Sequence, residues 1–215
     1  MTDKVHTDIS LSPRSIAKRE QIIDAAQTLF LRDGFARTSM DAIRALAQVS
    51  KPTLYNHFDS KENLFLGIVE HSLDDVSAAW DQLVSETQTI SSRHQLRQIL
   101  IRFARAGVDH LLAPQTVRLA RTLLAETSSF PDLGAEFRKR IPQRAAGMIS
   151  AVLTNAHEQG LLHLTQERIP AAVRFFMAQL LSYLLLDGLL LTDQVPTKPS
   201  INDLEEMIDL YIEMI

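Results

Sequence analysis

The sequence predicts an all-α protein, with an N-terminal three-helix unit built around a helix-turn-helix and a larger C-terminal helical bundle. Three observations predict it. Apolar residues recur at helical spacing along almost the whole chain, and no convincing run alternates with period two. Only 7 Gly and 8 Pro punctuate 215 residues, so the elements are few and long. Capping residues and breakers fall where those apolar runs begin and end.

Taken in order, residues 16–33 place Ile22, Ile23, Ala26, Leu29 and Phe30 on one face, with Lys18, Arg19, Asp24 and Arg32 off it. Gly34 stands at the C′ position and Phe35 at C″. Ser39 caps a second helix over 40–47, and Gln48-Val49 make a tight turn. Ser50 caps a third helix over 51–57, with Pro52 tolerated in the first turn. Asp59-Ser60 open a fourth helix with a capping box in which Asn63 replaces the usual Glu or Gln. That helix should run from 61 to about 88. A fifth spans about 92–112. A sixth runs from Pro114 to near Ser128-Ser129. A seventh follows Pro131 and is closed by Gly160 with Leu161 as C″. An eighth covers about 166–192, bent or restarted at Pro170. Residues 195–199 form a loop, and a ninth helix covers about 200–214.

Composition narrows the function. Hydrophobic residues are 46% and charged residues 22%, enough for a sizeable core. With no cysteine, a disulfide framework, a thiolate zinc site and a cysteine nucleophile are excluded. The net charge of −4 hides an asymmetry: residues 1–61 hold nine Lys/Arg against seven Asp/Glu, while the remainder is acidic. Either this is chance, or the head touches an anion. The first fifteen residues are polar and lack the apolar core of a signal peptide, so residues 1–15 are expected as a loose tail and the protein as cytoplasmic. The stretch Val173–Leu191 is nearly long enough to span a bilayer. It contains Arg174, Gln179, Ser182 and Asp187, so it reads as an interface helix, with no membrane partner.

The second and third helices are short and joined by a three- to four-residue turn, the arrangement in which the second of the pair enters the major groove. Lys51 and Thr53 sit at the start of that helix, where base edges are reached. Tyr55, His57 and Lys61 are spaced to donate to phosphate oxygens; the bland reading makes Tyr55 and His57 ordinary surface residues. Leu54 and Phe58, four apart, anchor the segment to the fourth helix.

The wording then becomes specific. Phe30, Gly34-Phe35, Thr38-Ser39-Met40, the run Val49-Ser50-Lys51-Pro52-Thr53-Leu54-Tyr55-Asn56-His57-Phe58 and Ser60-Lys61-Glu62-Asn63-Leu64 resemble the N-terminal domain of the TetR/AcrR family of one-component transcriptional regulators. The close match covers about residues 16–66; the rest matches in architecture. The resemblance implies a DNA-binding domain over 16–60 and a ligand-binding and dimerisation domain over 61–215. It implies that Thr38 and Ser39 bond phosphate, that the segment from Ser50 enters the groove with Lys51 and Thr53 on base edges, and that Tyr55, His57 and Lys61 contact phosphate. Asn56 would touch the backbone or a base edge. Two departures stand out: the family usually has Gly at Gln48 and Ala at Arg44. Gln48 is expected in a left-handed conformation, and Arg44 is expected to point outward toward phosphate.

The body should enclose a pocket of about 300–1,000 Å³ for a small-molecule effector. Its expected lining is Trp80, Phe103, His110, Arg121, Phe137, Arg144, Met148, Phe176 and Gln179. These side chains are equally at home in a plain core, and Arg121 and Arg144 either hold an anionic ligand or pair with Glu126 and Glu136. Phe175, Leu180, Leu184, Leu185, Gly188 and Leu189, with Leu204, Met207, Ile208 and Tyr211, form more apolar face than one subunit can cover, which predicts a homodimer. His110, His157 and His163 lack metal-ligand spacing, His71 with Asp74 and Asp75 reads as a solvated helix face, and no catalytic motif or cofactor site is visible. The expected protein is a ligand-responsive transcriptional repressor, not an enzyme, that binds a near-palindromic double-stranded operator as a dimer and is released by a small molecule; a helical dimer without DNA function and a helical-bundle enzyme are the competing classes. Its effector would shift a fourth helix running unbroken from Lys61 to Trp80.

Overall fold

The computed structural model describes residues 12–191 and 196–215. Most of the expected tail and Val195 of the expected loop lie outside the described residues. Ten α-helices are present among the described residues, and no strand. They are α1 (Pro13–Asp33), α2 (Met40–Leu46), α3 (Lys51–His57), α4 (Lys61–Ser72), α5 (Asp74–Glu86), α6 (Arg93–Leu111), α7 (Pro114–Glu126), α8 (Pro131–Glu158), α9 (Ile169–Tyr183) and α10 (Ile201–Met214). The chain divides into two compact units between Ile68 and Val69, inside α4.

In the first unit the sequence signals act locally. Ser39 Oγ accepts from Ala42 N at 3.1 Å, Ser50 Oγ from Thr53 N at 3.2 Å and Ser60 Oγ from Asn63 N at 3.0 Å, starting α2, α3 and α4. Ile22, Ile23, Ala26, Leu29 and Phe30 of α1 are buried, as their spacing predicts. Phe65 of α4 joins them, its ring 5.8 Å from Phe30 and 5.5 Å from Phe35. Those contacts are why the first turns of α4 belong to this unit rather than to the body.

Three residues behave differently from expectation. Gly34 has φ 87° and ψ 156°, a region open to glycine, so the chain leaves α1 extended instead of turning back through a left-handed cap. Thr38 is buried, and its hydroxyl donates to the carbonyls of Gly34 at 2.8 Å and Leu29 at 3.3 Å. Lys61 Nζ donates to the carbonyls of Phe35 at 2.9 Å, Thr38 at 3.1 Å and Ala36 at 3.3 Å, and lies 4.4 Å from the Phe35 ring centroid. The phosphate roles expected of Thr38 and Lys61 are thereby corrected: their donors satisfy the α1–α2 connection, which has no helical partners of its own.

The second unit packs α6 against α5, α9 and α10, with α8 closing over α5 and α9. Its aromatic centre is continuous. Trp80 stacks on Phe103 at 4.5 Å, Phe103 meets Phe176 edge-on at 6.1 Å, and Phe176 meets Tyr211 at 5.3 Å. The Tyr211 hydroxyl donates to Ala172 O at 2.9 Å, and burial pushes its pKa up. Gly160 closes α8 with φ 69°; its N–H donates to His157 O and that of Leu161 to Ala156 O, the expected Schellman pair.

Two departures change the mechanics. The expected unbroken fourth helix stops at Ser72 and restarts at Asp74. Leu73 N donates to Glu70 O, three residues back, which tightens that turn and separates α4 from the helix that carries Trp80. The expected eighth helix begins as a 3₁₀ turn over 166–168, continues as α9 from Ile169 with Pro170 in its first turn, and widens into a π-helix over Leu184–Leu189. There Leu190 N donates to Leu185 O, five residues back.

Gly67 is buried in α4, and a Cβ built on it would lie 2.6 Å from Phe58 Cε1. Gly67→Ala gains about 1 kcal/mol of helix propensity and costs about 1–3 kcal/mol of overpacking. A net loss of stability is expected, read as a lower urea midpoint at fixed protein concentration. Lys61→Met removes a cation from three carbonyls and should cost about 1.5–3 kcal/mol in the same assay. An unchanged midpoint would mean that those bonds hold nothing in place.

Candidate nucleic-acid interface and ligand cavity

Helix α3 is seven residues long, too short to hold its shape unaided. Its inward side is Leu54, fully buried, and the capping residue Phe58, whose N–H donates to Leu54 O at 2.9 Å. That seat leaves the other side free. Lys51, Tyr55 and Asn56 are exposed, Tyr55 at 42%. Lys51 Nζ lies 5.9 Å from the Tyr55 ring, one turn on, so the two present a cation and a phenol side by side. Ser50 Oγ and Thr53 Oγ1 share a 2.7 Å hydrogen bond at the helix start. Thr53 and His57 are half-buried at the edges of this surface.

Electrostatics sharpen the picture. Burial, and then the charge of Arg19, hold the His57 pKa below its ordinary value, so the ring is mainly neutral at pH 7. It can donate a hydrogen bond to a phosphate without bringing a full charge. Arg19 lies 5.3 Å from the Phe58 ring and went unnoticed in the sequence, where it is one more polar residue off the α1 stripe. Arg44 is half-buried, with Nε 3.7 Å from Asp41 Oδ1, so part of its charge is offset within α2. Ser39 is exposed and its oxygen caps α2. Gln48 adopts φ 50° in the turn, the left-handed conformation its position demands, and is exposed beside α3.

Clefts of about 950 Å³ beside Arg93, Arg97 and His163 and about 560 Å³ beside Pro142 and Arg174 fall within the expected size but hold none of the expected lining residues; where three of those residues gather, the body has an apolar cavity of about 190 Å³. Trp80, His110 and Phe137 line it. The other expected lining residues do not. Phe103 and Phe176 are fully buried in the core, and Met148 packs against it. Arg144 pairs with Asp74 at 3.0 Å, and Arg121 donates to the carbonyls of Gly188 at 2.8 Å and Leu191 at 2.5 Å. Gln179 is half-buried away from the cavity, its side-chain oxygen without a hydrogen-bond partner among the described residues. Helix α7, expected on the wall through Arg121, contributes Thr116, Leu119, Ala120 and Leu123 instead. Their spacing is visible in the sequence, but an amphipathic helix reads the same whether it faces a core or a cavity.

The expected apolar interface also needs correction. Leu180, Gly188, Leu204, Ile208 and Tyr211 are buried within the subunit's own core. The exposed large apolar residues there are Phe175, Leu181, Leu185 and Leu186 on α9 and the π-helix, Leu190 just after it, and Ile201, Leu210 and Met214 on α10. Leu184, Leu189 and Met207 are half-buried beside them. The segment Gln166–Leu189 is long and apolar enough to cross a membrane by length and composition, with 28% of its most apolar window buried inside the chain. Among the described residues no cluster of three or more His, Asp or Glu could hold a metal ion.

Comparison with known proteins places these features. Residues 22–68 match the model for bacterial regulatory proteins of the tetR family, and residues 98–214 match the C-terminal domain of AefR-like transcriptional repressors. The chain is 27% identical over 206 residues to the transcriptional regulator TtgR of Pseudomonas putida, covering 92% of this chain and 90% of TtgR. It is 35% identical over 80 residues to the transcriptional activator FasR of Mycolicibacterium smegmatis, a match to 37% of this chain and 36% of FasR. A crystal structure of a Mesorhizobium loti protein assigned to the TetR family superposes with a TM-score of 0.68 at 22% identity, covering 94% of this chain and 96% of that one. The chain belongs to the TetR family of DNA-binding transcriptional regulators.

Proposed function

We propose that this regulator is a cytoplasmic homodimeric repressor that binds a near-palindromic operator and is released by a small molecule. The observation that carries the DNA half is the split of α3: Leu54 and Phe58 are buried while Lys51, Tyr55 and Asn56 face outward. Lys51 and Asn56 are suited to base edges, and Tyr55 and neutral His57 to phosphate oxygens. Ser39, Ser50, Thr53 and Arg44 border that surface. Repression is favoured by the AefR-like repressor model over the C-terminal half; the match to the activator FasR is confined to 80 residues.

The dimer reading rests on the exposed apolar face of α9, the π-helix and α10. Leucines that exposed, on neighbouring elements, are covered most simply by the same face of a second copy. Two copies related by a two-fold axis would present two α3 helices about 34–36 Å apart, one turn of B-DNA. Release requires an effector that prefers one state. Moving the population from 1:99 to 99:1 takes about 5.5 kcal/mol of differential affinity. With the break at Leu73, that preference cannot travel along one rigid helix from Lys61 to Trp80.

Lys51→Ala should relax sequence preference and cost about 1–3 kcal/mol on the best site, whereas Tyr55→Phe should weaken all sequences alike. Equal loss on every duplex from both changes, in a gel-shift series, would overturn the division of roles. Leu185→Glu with Leu186→Glu should yield a monomer in sedimentation equilibrium with operator affinity lowered at least tenfold. A dimer that persists would place the interface elsewhere.

A further inference from the structure

We infer that the effector held in the cavity is an uncharged, mostly hydrocarbon molecule of about one aromatic ring. This rests on the small-molecule reading above and narrows it to a chemical class.

The wall excludes charge. None of its 19 lining residues is Asp, Glu, Lys or Arg. Several charged side chains on the same helices are engaged with one another or with backbone, Glu70 with Arg140 at 2.7 Å, Asp74 with Arg144 at 3.0 Å, Asp109 with Arg105 and Lys198, and Arg121 with two carbonyls, and none of the others reaches the wall. A carboxylate or ammonium entering the cavity would lose its water and meet no counter-charge, which is among the costliest transfers available to it.

The wall also favours a flat apolar guest. Trp80 and Phe137 supply aromatic surface, and Leu119, Leu123, Met177 and Leu180 supply aliphatic surface. Ser72, one of three side chains there with a polar head, donates its hydroxyl to Val69 O at 2.7 Å. Thr116 and His110 are the other two, enough to accept one hydroxyl or ring N–H without demanding it. A cavity of about 150 Å³ lined by Leu, Ile and Phe stays dry and binds benzene. At about 190 Å³ this one has room for a ring with a short substituent.

Trp80 is the only tryptophan in the chain and lies on the wall, so its fluorescence reports on this site alone. The test titrates the full-length protein with ethylbenzene, benzoate and phenethylammonium while following Trp80 emission. Anisotropy of a labelled operator duplex is read in parallel. A saturable change is expected with ethylbenzene, and the two charged probes should need at least hundredfold higher concentration. Ala120→Phe, which fills the cavity from α7, should weaken the ethylbenzene response at least tenfold. A charged probe that binds as well as ethylbenzene, or no saturable response to ethylbenzene up to its solubility limit, overturns the assignment. So does an undiminished response in Ala120→Phe with an unchanged melting profile. Ethylbenzene binding without operator release supports the ligand class and instead overturns the release step.

Discussion

The seat of Phe58 against Gly67 is the contact on which the rest depends. A seven-residue helix has no orientation of its own; α3 takes its orientation from Leu54 and Phe58, one turn apart and both buried. The approach is close enough that only glycine fits without displacing the ring. With that side fixed, the outward positions of Lys51, Tyr55 and Asn56 follow from helical geometry. Lys61 secures the same arrangement from the other end, tying the start of α4 to three carbonyls of the α1–α2 connection. The strained turn at Gln48 lets α2 and α3 meet at the required angle.

In the body, helix α7 serves two neighbours at once. One face walls the cavity through Thr116, Leu119, Ala120 and Leu123. On its other side, Val117 lies against Gly188 and Arg121 donates to the carbonyls that end the π-helix. A guanidinium at a helix C-terminus meets the negative end of the dipole, so Arg121 needs no carboxylate there. The π-helix in turn carries exposed Leu185 and Leu186. Helix α7 thus touches both the cavity and the π-helix that carries part of the apolar face, all within the second unit.

Legibility in the sequence tracked how local each feature is. The left-handed Gln48 followed from the Gly that the resembled family has there. Caps at Ser39, Ser50 and Ser60 and the Schellman close at Gly160 depend on neighbours a few residues away, and spacing alone reveals them. The buried and exposed sides of α3 were readable for the same reason. What depended on tertiary contacts was not. Thr38 and Lys61 look like anion binders by residue type, yet fold back on carbonyls 4 to 26 positions away. The break at Leu73 has no Pro or Gly to announce it. On α9 and α10, periodicity identified excess apolar surface, but a helix apolar on most sides does not disclose which side meets its own core. Hence Tyr211 and Ile208 were read as interface, while exposed Leu186, Leu190 and Leu210 were passed over.

The most direct measurement is a photo-cross-link between the purified protein and duplexes that it selects from a random library, carrying a photoreactive thymine analogue and mapped by peptide sequencing. Cross-links concentrated in residues 50–57, with the selected duplexes forming an inverted repeat, are the predicted result. Cross-links that fall outside residues 39–57 and spare α3 would contradict the account.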